Sequence, residues 1–585
     1  MPVLARVRRG SYHDSVALLQ VQQALRQMPG VEEAGVVMAT PANLALLRGA
    51  GLDAPELQGA GPDDLVAVVR ARTQAEGERA LERLDELLSP RAPAGGTPYR
   101  PRTVRTAVRA LPGANVAVVS VPGRFAAGVA EEALREGLHV FLFSDNVALE
   151  EEVRLKRLAA ERGLLVMGPD CGTALVAGAG LGFANAVRRG RVGIVAASGT
   201  GLQEVACLVH RWGAGVSHGL GTGGRDLSDA VGGASFATAL AALAEDPGTD
   251  VVVLLSKPPS PQVARQVLAL ARRCEKPVVV NFLGAQPPPQ AGNLYFASTL
   301  EEAARLAVRL SGGHPPAERE LEPEAVPWAA EQRWLRGLFV GGSLCAEAQL
   351  VLRGSLGRVW SNVPLSPDAR LPDPLVSREH TVVDLGSDEF TVGRLHPMLD
   401  PSVRSQRLLH EARDAEVAVL LVDVVLGFGA HPDPAGELAQ AWEEAARTAR
   451  RAGRELVCVA SVCGTELDPQ PHGSQVERLR EGGVVVAPTN AAAARLAGAL
   501  CGRSGARGEA GPLPPVDLPD GEGRTHGVPA AVRELLRGPV RAVNVGLESF
   551  AQSLQSQGVP VVSVDWKPPA AGDAELLELL SRLGG

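Results

Sequence analysis

The sequence lacks the features of an exported protein. Its first ten residues, MPVLARVRRG, do not contain the apolar run of about 7 to 15 residues that a secretory signal requires. Its 7 cysteines are scattered, without the paired spacing of a disulfide framework. We therefore expect a protein of the reducing cytoplasm, and no spacing of histidines, cysteines or acids specifies a metal site.

Long apolar runs and an excess of positive charge are also missing. No stretch approaches the ~18 apolar residues of a membrane helix, and the formal net charge is -8. We therefore expect neither a membrane nor a nucleic acid as a partner. Aromatic residues make up only 3% of the chain, whereas glycine occurs 66 times. Apolar runs and glycine or proline punctuation consequently guide the structural predictions.

What the chain does contain is a repeated alternation of short apolar runs with helix-compatible segments. This alternation predicts parallel, doubly wound α/β sheets, whose ligands bind beyond the carboxyl ends of the strands. Joints rich in proline, glycine and charge separate the units. The predicted units are an N-terminal α/β domain at 1–90, a Rossmann-like domain at 106–190, two flavodoxin-like domains at 191–311 and 330–502, and a small αβ segment at 531–585.

The stretch 191–201 has the pattern of an anion site. A strand-forming run ends at Ser198, Gly199, Thr200 and Gly201, and a helix-compatible segment follows. The first amides of a helix have no acceptor within the helix and carry a partial positive charge, which suits phosphate. Glycine lets an anion approach the backbone, and the hydroxyl groups add donors. The alternative is an ordinary strand-to-helix turn with a Ser or Thr cap.

A second stretch of the same kind lies at 417–434. Its apolar run ends at Gly427, Phe428, Gly429 and Ala430. Two strand ends with glycine turns could face a single anion. The sequence therefore predicts one phosphate held between the two turns.

Several motifs occur in the order found in a known enzyme. VSVPGRFAAGV, GPDCG, GRVGIVAASGT, GTGGRD and KPVVVNFLG lie within residues 115–284, and TVVDLGSDE and AVLLVDVVLGFGAHPD lie within residues 381–487. The first region resembles the α subunit of succinyl-CoA synthetase, with its CoA-binding domain, and the second resembles the carboxy-terminal ligase domain of the β subunit. The fused layout, with the segments SYHDS and HPMLD, resembles the FdrA family over nearly the whole chain.

The resemblance carries expectations for individual residues. It implies that the turn at 198–200 faces the turn at 427–430 across a phosphate. It also places Asp170 and Cys171 at the synthetase's Asn-Cys pair, which lies beside coenzyme A. Coenzyme A is therefore the cofactor that the resemblance suggests, although Cys171 alone would be read as a small packed thiol.

The chain departs from the synthetase where the phosphohistidine chemistry takes place. The stretch after NFLG reads AGNLYFAS and has no histidine, and Lys257 lies near the position of the glutamate that holds the synthetase's histidine. A phosphohistidine relay needs an imidazole and a carboxylate to hold it. The first glycine-rich CoA loop and the ATP-grasp domain are also missing by this comparison. Nucleotide-driven ligation by this chain alone is not expected.

The FdrA resemblance implies a different activity. That family is associated with anaerobic allantoin breakdown, as a subunit of an oxamate carbamoyltransferase that works with two partner subunits. We therefore expect carbamoyl transfer between oxamate or oxalurate and phosphate. The ligands would be phosphate or carbamoyl phosphate and a small 2-oxo or ureido acid, because helix-end donors can stabilise a departing phosphate.

Three residues are candidates for the chemistry. We expect His396 or His431 to polarise the carbamoyl carbonyl or to transfer a proton, and Arg394 to pair with a substrate carboxylate. The alternative is that these histidines only satisfy loop backbone groups.

Two other functions remain open from the sequence. The chain could be a subunit of an acyl-CoA ligase or a CoA-dependent acyltransferase, with the ATP chemistry on another polypeptide. It could also be a non-catalytic, phosphate-binding scaffold that assembles the active enzyme.

Overall fold

The computed structural model describes most of the chain. The described residues are 1–11, 15–40, 43–44, 47–48, 51–62, 64–88, 100–318, 321–323, 325–391, 395–502, 513–519 and 527–568. Within these ranges, no helix combines the length and the apolar character needed to cross a membrane.

The N-terminal unit is a three-stranded antiparallel sheet with helices against it. The strand order is β1-β3-β2, and the buried central strand LVAVVRA pairs with both neighbours. Its elements are β1 Val3–Arg8, α1 Ser15–Arg26, β2 Val31–Met38, β3 Leu65–Ala71, α2 Gln74–Glu82 and α3 Leu84–Leu88, with a 3-10 turn at Pro55–Leu57.

The second unit is a five-stranded parallel sheet built from two distant parts of the chain. The strand order is β20-β19-β4-β5-β6, so that β19 lies directly beside β4. Its elements are α4 Val104–Ala110, β4 Val116–Val119, α5 Gly123–Arg135, β5 His139–Leu142, α6 Leu149–Arg162, β6 Val166–Met167, α17 Ala530–Arg537, β19 Ala542–Val545, α18 Glu548–Ser556 and β20 Val561–Val564. The C-terminal αβ segment predicted at 531–585 is thus part of the Rossmann-like sheet, and its residues 569–585 lie outside the described ranges.

The third unit is a seven-stranded sheet of order β13-β12-β11-β9-β10-β7-β8. Its central strands are parallel and mainly apolar, as expected for strands covered by helices on both faces. The antiparallel hairpin of β7 and β8 joins one edge. Its elements are β7 Thr173–Val176, β8 Ala179–Gly182, β9 Arg189–Ala196, α7 Gly199–Arg211, β10 Val216–Gly221, α8 Ala234–Glu245, β11 Val251–Ser256, α9 Pro261–Arg272, β12 Val278–Phe282, β13 Leu294–Phe296 and α10 Leu300–Leu310.

The fourth unit is a parallel sheet of order β15-β14-β16-β17-β18. Its longest strand, VAVLLVDVV, is buried throughout. Its elements are β14 Trp334–Phe339, α11 Gly342–Leu356, β15 Thr381–Asp384, α12 Asp388–Thr391, α13 Ser402–Glu411, β16 Val417–Val425, α14 Pro434–Arg451, β17 Val457–Cys463, α15 His472–Glu481, β18 Val485–Ala487 and α16 Asn490–Gly502, with a 3-10 turn at Pro367–Ala369. The α/β multidomain class with parallel sheets is confirmed.

The three larger units share a continuous apolar core, and helix α18 lies where they meet. The Phe550 ring, which is buried, lies 4.8 Å from the Phe143 ring and 6.0 Å from the Phe183 ring, measured between centroids. A Cβ atom built on Gly429 would lie 3.1 Å from the Phe550 ring. The Gln557 side chain also exchanges hydrogen bonds with the backbone of Gly180, at 2.7 Å and 3.0 Å. The C-terminal segment therefore fastens the second, third and fourth units together.

This packing predicts the effect of truncating Phe550. We expect Phe550→Ala to lower the free energy of unfolding by about 3 to 5 kcal/mol, because it removes a buried ring and leaves a cavity. Urea unfolding followed by circular dichroism would measure the loss, with Gln555→Ala on the exposed side of the same helix as the control. Equal midpoints for the two variants would contradict the fastening role.

Candidate functional site

The stretch 191–201 forms the strand, turn and helix start that the sequence predicts. Strand β9 ends at Ala196, and helix α7 begins at Gly199. The Ser198 hydroxyl caps the helix by accepting a hydrogen bond from the Gly201 amide at 3.0 Å. Within the described part of the chain, no partner is found for the amides of Gly199 and Thr200. These two donors are therefore free to bind an anion.

A second helix start meets this turn. Strand β14 is followed by Gly341, Gly342 and Ser343, where helix α11 begins without a side-chain cap. The Ser343 amide donates a hydrogen bond to the Thr200 hydroxyl at 3.2 Å, and the hydroxyl groups of Ser343 and Ser198 are hydrogen-bonded. A Cβ atom on Gly341 would lie only 3.1 Å from Thr200 Cγ2. The N-termini of α7 and α11, from different units, thus face each other.

One buried carboxyl group holds the turn at the start of α11, and a second lies close to it. Asp423, which is fully buried at the carboxyl-terminal part of β16, accepts hydrogen bonds from the amides of Val340 and Gly341, both at 2.8 Å. Burial raises the pKa of Asp423 to about 6, although the nearby Arg404 acts in the opposite direction. Asp384 lies on the other side, where a Cβ atom on Gly342 would be 2.7 Å from its Oδ2.

The prediction that Gly427, Gly429 and Ala430 bind phosphate stays a prediction, and several amides of this turn already have protein partners. The Gly427 amide donates to Gln470 Oε1 at 3.1 Å, the Phe428 amide donates to the Ala184 carbonyl at 2.8 Å, and the Ala430 amide donates to the Gly427 carbonyl at 3.3 Å. The amides of Gly427, Phe428 and Ala430 are therefore occupied by protein groups.

The helix that follows this turn is also unsuited to an anion. Helix α14 is capped by the carboxylate of Asp433, which accepts a hydrogen bond from the Gly436 amide at 3.2 Å. The turn that does face residues 198–200 is VGGS at 340–343. The sequence analysis did not single it out, although a strand ending in Gly-Gly-Ser before a helix carries the same signal as 198–201.

The two candidate histidines lie in loops that contact each other. His396 Nδ1 accepts the Met398 amide at 3.2 Å, His431 Nδ1 accepts the Asp433 amide at 3.1 Å, and the His431 amide donates to the Met398 carbonyl at 2.8 Å. Burial lowers the pKa of His396 to about 4, so its ring is neutral at pH 7. Both rings thus satisfy their own loops, and a direct catalytic role remains a prediction. Arg394 lies outside the described residues.

Asp170 and Cys171 lie beside the start of α7. A Cβ atom on Gly199 would be 3.5 Å from Gly172 Cα, which places the loop that follows β6 against the phosphate turn. The Cys171 thiol is buried and points to the Thr173 carbonyl. Burial raises the pKa of Cys171 to about 12, so the group stays protonated and is not a nucleophile at neutral pH.

The Rossmann-like unit contains a strand, turn and helix that come from the C-terminal part of the chain. β19 and β4 are neighbours, and the chain proceeds from them to opposite edges of the sheet. Ligands of doubly wound sheets bind at such a switch point. Here the turn after β19 has Gly546 at φ 121°, and the Leu547 amide donates to the Ser120 hydroxyl at 2.8 Å.

The fold and the site together define an α/β protein with an anion-type site between two doubly wound domains. Residues 338–500 match the CoA-ligase family, and residues 1–101 match the AllF heavy metal-associated domain. Those first 101 residues contain no cysteine, and no group of side chains suited to a metal ion occurs among the described residues.

Comparison with individual proteins gives the family. The chain is 44% identical to the uncharacterized protein YahF of Escherichia coli K12 over 502 residues, which cover 84% of this chain and 97% of YahF. It is 30% identical to the malate–CoA ligase α subunit of Methylorubrum extorquens over 209 residues, which cover 34% of this chain and 69% of that subunit. The chain belongs to the acyl-CoA synthetase-like family of these ligase subunits.

A dinucleotide-forming acetyl-coenzyme A synthetase of Ca. Korarchaeum cryptofilum aligns with 67% of this chain and 83% of its own, at 18% identity. Its TM-score is 0.28, which is too low to support an argument about this protein.

The role of Asp423 can be tested. We expect Asp423→Asn to lower the free energy of unfolding by about 3 kcal/mol, because an amide supplies one acceptor for two donors and leaves the buried Arg404 without its counter-charge. Urea unfolding would measure the change, and the exposed Asp229→Asn is the matched control. Wild-type stability of Asp423→Asn would contradict this account of the α11 turn.

Proposed function

We propose that the chain is an FdrA-type subunit of an oxamate carbamoyltransferase. It would move a carbamoyl group between phosphate and oxamate, with oxalurate as the carbamoylated form. The observation that carries the proposal is the meeting of the α7 and α11 helix starts at Thr200 and Ser343. Two partner subunits, as in the family it resembles, complete the enzyme.

The facing helix starts suit a phosphate that leaves or attacks. The free amides of Gly199 and Thr200 lie beside the hydroxyl groups of Ser198 and Ser343, so that polar groups of both helix starts are gathered at one place. The helix dipoles add partial positive charge from both sides. Such donors stabilise the negative charge that grows on a departing phosphate without needing to reorganise.

Carbamoyl transfer is also consistent with the absence of the histidine that carries the phosphate in the synthetase. Residues 256–300 contain no histidine, so a phosphohistidine cannot form there. Transfer of a carbamoyl group between phosphate and an amide nitrogen needs neither that intermediate nor a nucleotide. The match of residues 1–101 to the AllF domain supports a place in allantoin breakdown.

A second candidate is a CoA-dependent ligase or acyltransferase subunit. The match to the CoA-ligase family and the malate–CoA ligase relative favour it. The switch point between β19 and β4 offers a place for coenzyme A. In that case the phosphate between α7 and α11 would belong to an acyl phosphate that reacts with the CoA thiol.

The deciding experiment is an assay of the chain with its partner subunits. Carbamoyl phosphate is supplied with oxamate, and in a parallel assay succinyl phosphate is supplied with coenzyme A, and phosphate release and product mass are followed. Formation of oxalurate supports the first function. Formation of an acyl-CoA without oxalurate overturns it in favour of the second.

Phosphate binding gives a separate prediction. We expect Thr200→Val and Ser343→Ala each to weaken phosphate binding to the isolated chain about tenfold, since each removes a hydroxyl partner of a charged ligand. Isothermal titration would measure the change. Thr448→Val is the control, because that exposed hydroxyl donates only to the Glu444 carbonyl of its own helix. Unchanged affinity in both site variants would place phosphate elsewhere.

A further inference from the structure

The Asp170 carboxylate has no hydrogen-bond partner among the described residues, although its backbone is firmly held. The Asp170 amide donates to the Ser144 carbonyl at 3.0 Å, and the residue adopts a left-handed conformation with φ 54°. Its side chain is accessible to solvent, yet many protein atoms surround it, as in the floor of a cleft. The loop thus presents a carboxylate to whatever occupies the cleft.

This carboxylate lies close to the phosphate turn. Gly172, two residues further on, contacts the start of α7 at Gly199. Two residues of chain span at most about 7 Å, so with the reach of the side chain the Asp170 carboxylate lies within roughly 15 Å of the free amides. That separation suits one small acid bound between the carboxylate and a carbamoyl phosphate.

Charged groups from four other elements face Asp170. Crowding by protein has the largest effect on its pKa, and the negative charges of Asp145, after β5, and Asp388, in α12, raise the pKa further. Arg225, in the loop after β10, and Lys257, after β11, lower it, and the resulting pKa is about 7. Arg225 is itself held by Glu152 at 2.9 Å and by the Val147 carbonyl at 2.8 Å.

We propose that Asp170 is the catalytic base that takes the proton from the amide nitrogen of oxamate during carbamoyl transfer. This inference rests on the proposed function. As the nitrogen bonds to the carbamoyl carbon, its N–H bond breaks and the proton moves to the Asp170 carboxylate. The bond between that carbon and the phosphate oxygen breaks with its electron pair on phosphate. The phosphate then takes the proton from Asp170, which restores the base.

Asp170 suits this step better than the histidines do. A base is most effective when its pKa lies near the working pH, and the pKa of Asp170 is about 7 whereas burial lowers the pKa of His396 to about 4. The His396 ring, with a pKa of about 4, holds a proton more weakly than Asp170 does and is therefore the weaker base.

The test compares Asp170→Asn with the wild type in the complete complex. Asparagine keeps the size of the side chain and tolerates the left-handed backbone. We expect kcat for carbamoyl phosphate and oxamate to fall at least about 100-fold, with the phosphate Kd within twofold of wild type. The wild-type rate should fall as the pH drops through about 7, because the base becomes protonated, and this limb should vanish in Asp170→Asn.

Two variants of neighbouring residues should shift the acid side of this pH–rate profile, where the rate falls, in opposite directions. Asp145→Asn removes a negative charge and should shift the limb to lower pH, whereas Lys257→Met removes a positive charge and should shift it to higher pH. The exposed Asp229→Asn should leave the profile unchanged. A purely structural role for Asp170 would not produce these opposite shifts.

The outcomes separate the two proposals. If the wild-type complex makes no oxalurate, the proposed function is overturned. A wild-type complex that makes oxalurate, together with an Asp170→Asn variant of near-normal kcat or an unchanged pH limb, overturns the role of Asp170 alone.

Discussion

Two helix N-termini of the same electrical sign face each other between the third and fourth units, and this contact must be held against repulsion. Buried carboxyl groups hold it. Glu347, on α11, accepts hydrogen bonds from the first amides of α10, Leu300 at 2.7 Å and Glu301 at 3.3 Å, and from the Asn490 side chain at 2.8 Å. Burial raises the pKa of Glu347 to about 7. Asp423 adds negative charge beside the α11 start itself. The positive helix ends that could attract a phosphate are thus positioned by acids that lie behind them.

The site of this protein is a contact between domains, so its chemistry depends on how the domains are joined. The α7 start belongs to one sheet, the α11 start to another, and the Asp170 loop leads from the Rossmann-like sheet into the third unit. The C-terminal helix α18 packs against all three. The malate–CoA ligase relative is an α subunit that matches 209 residues of this chain, whereas residues 338–500 match the CoA-ligase family.

Local features could be predicted from the sequence, and pairings between distant segments could not. The turn at Ser198 could be predicted because its strand, its small-residue turn and its helix follow one another directly in the sequence. The structure contains the strand, the turn and the helix. Its contact with the turn at 340–343 could not be predicted from sequence alone, because the strand before that turn is short and contains an arginine. The Asp433 carboxylate, four residues beyond Gly429, is a sequence signal that the helix after that turn is capped by the protein itself. The position of β19 beside β4 could not be predicted either, because the order of strands in a sheet depends on packing and not on their distance in the sequence.

The Rossmann-like sheet can be completed only late in synthesis, because two of its strands, β19 and β20, lie near the C-terminus. Strands β4 and β19 pair side by side. Just beyond them, the Leu547 amide donates to the Ser120 hydroxyl, and these two residues are 427 positions apart in the sequence. Until the C-terminal strands have been synthesised, the apolar edge of β4 is unpaired, and such edges invite pairing with other chains. The nascent protein consequently depends on rapid arrival of its own carboxyl-terminal strands, or on a chaperone that shields β4 in the meantime.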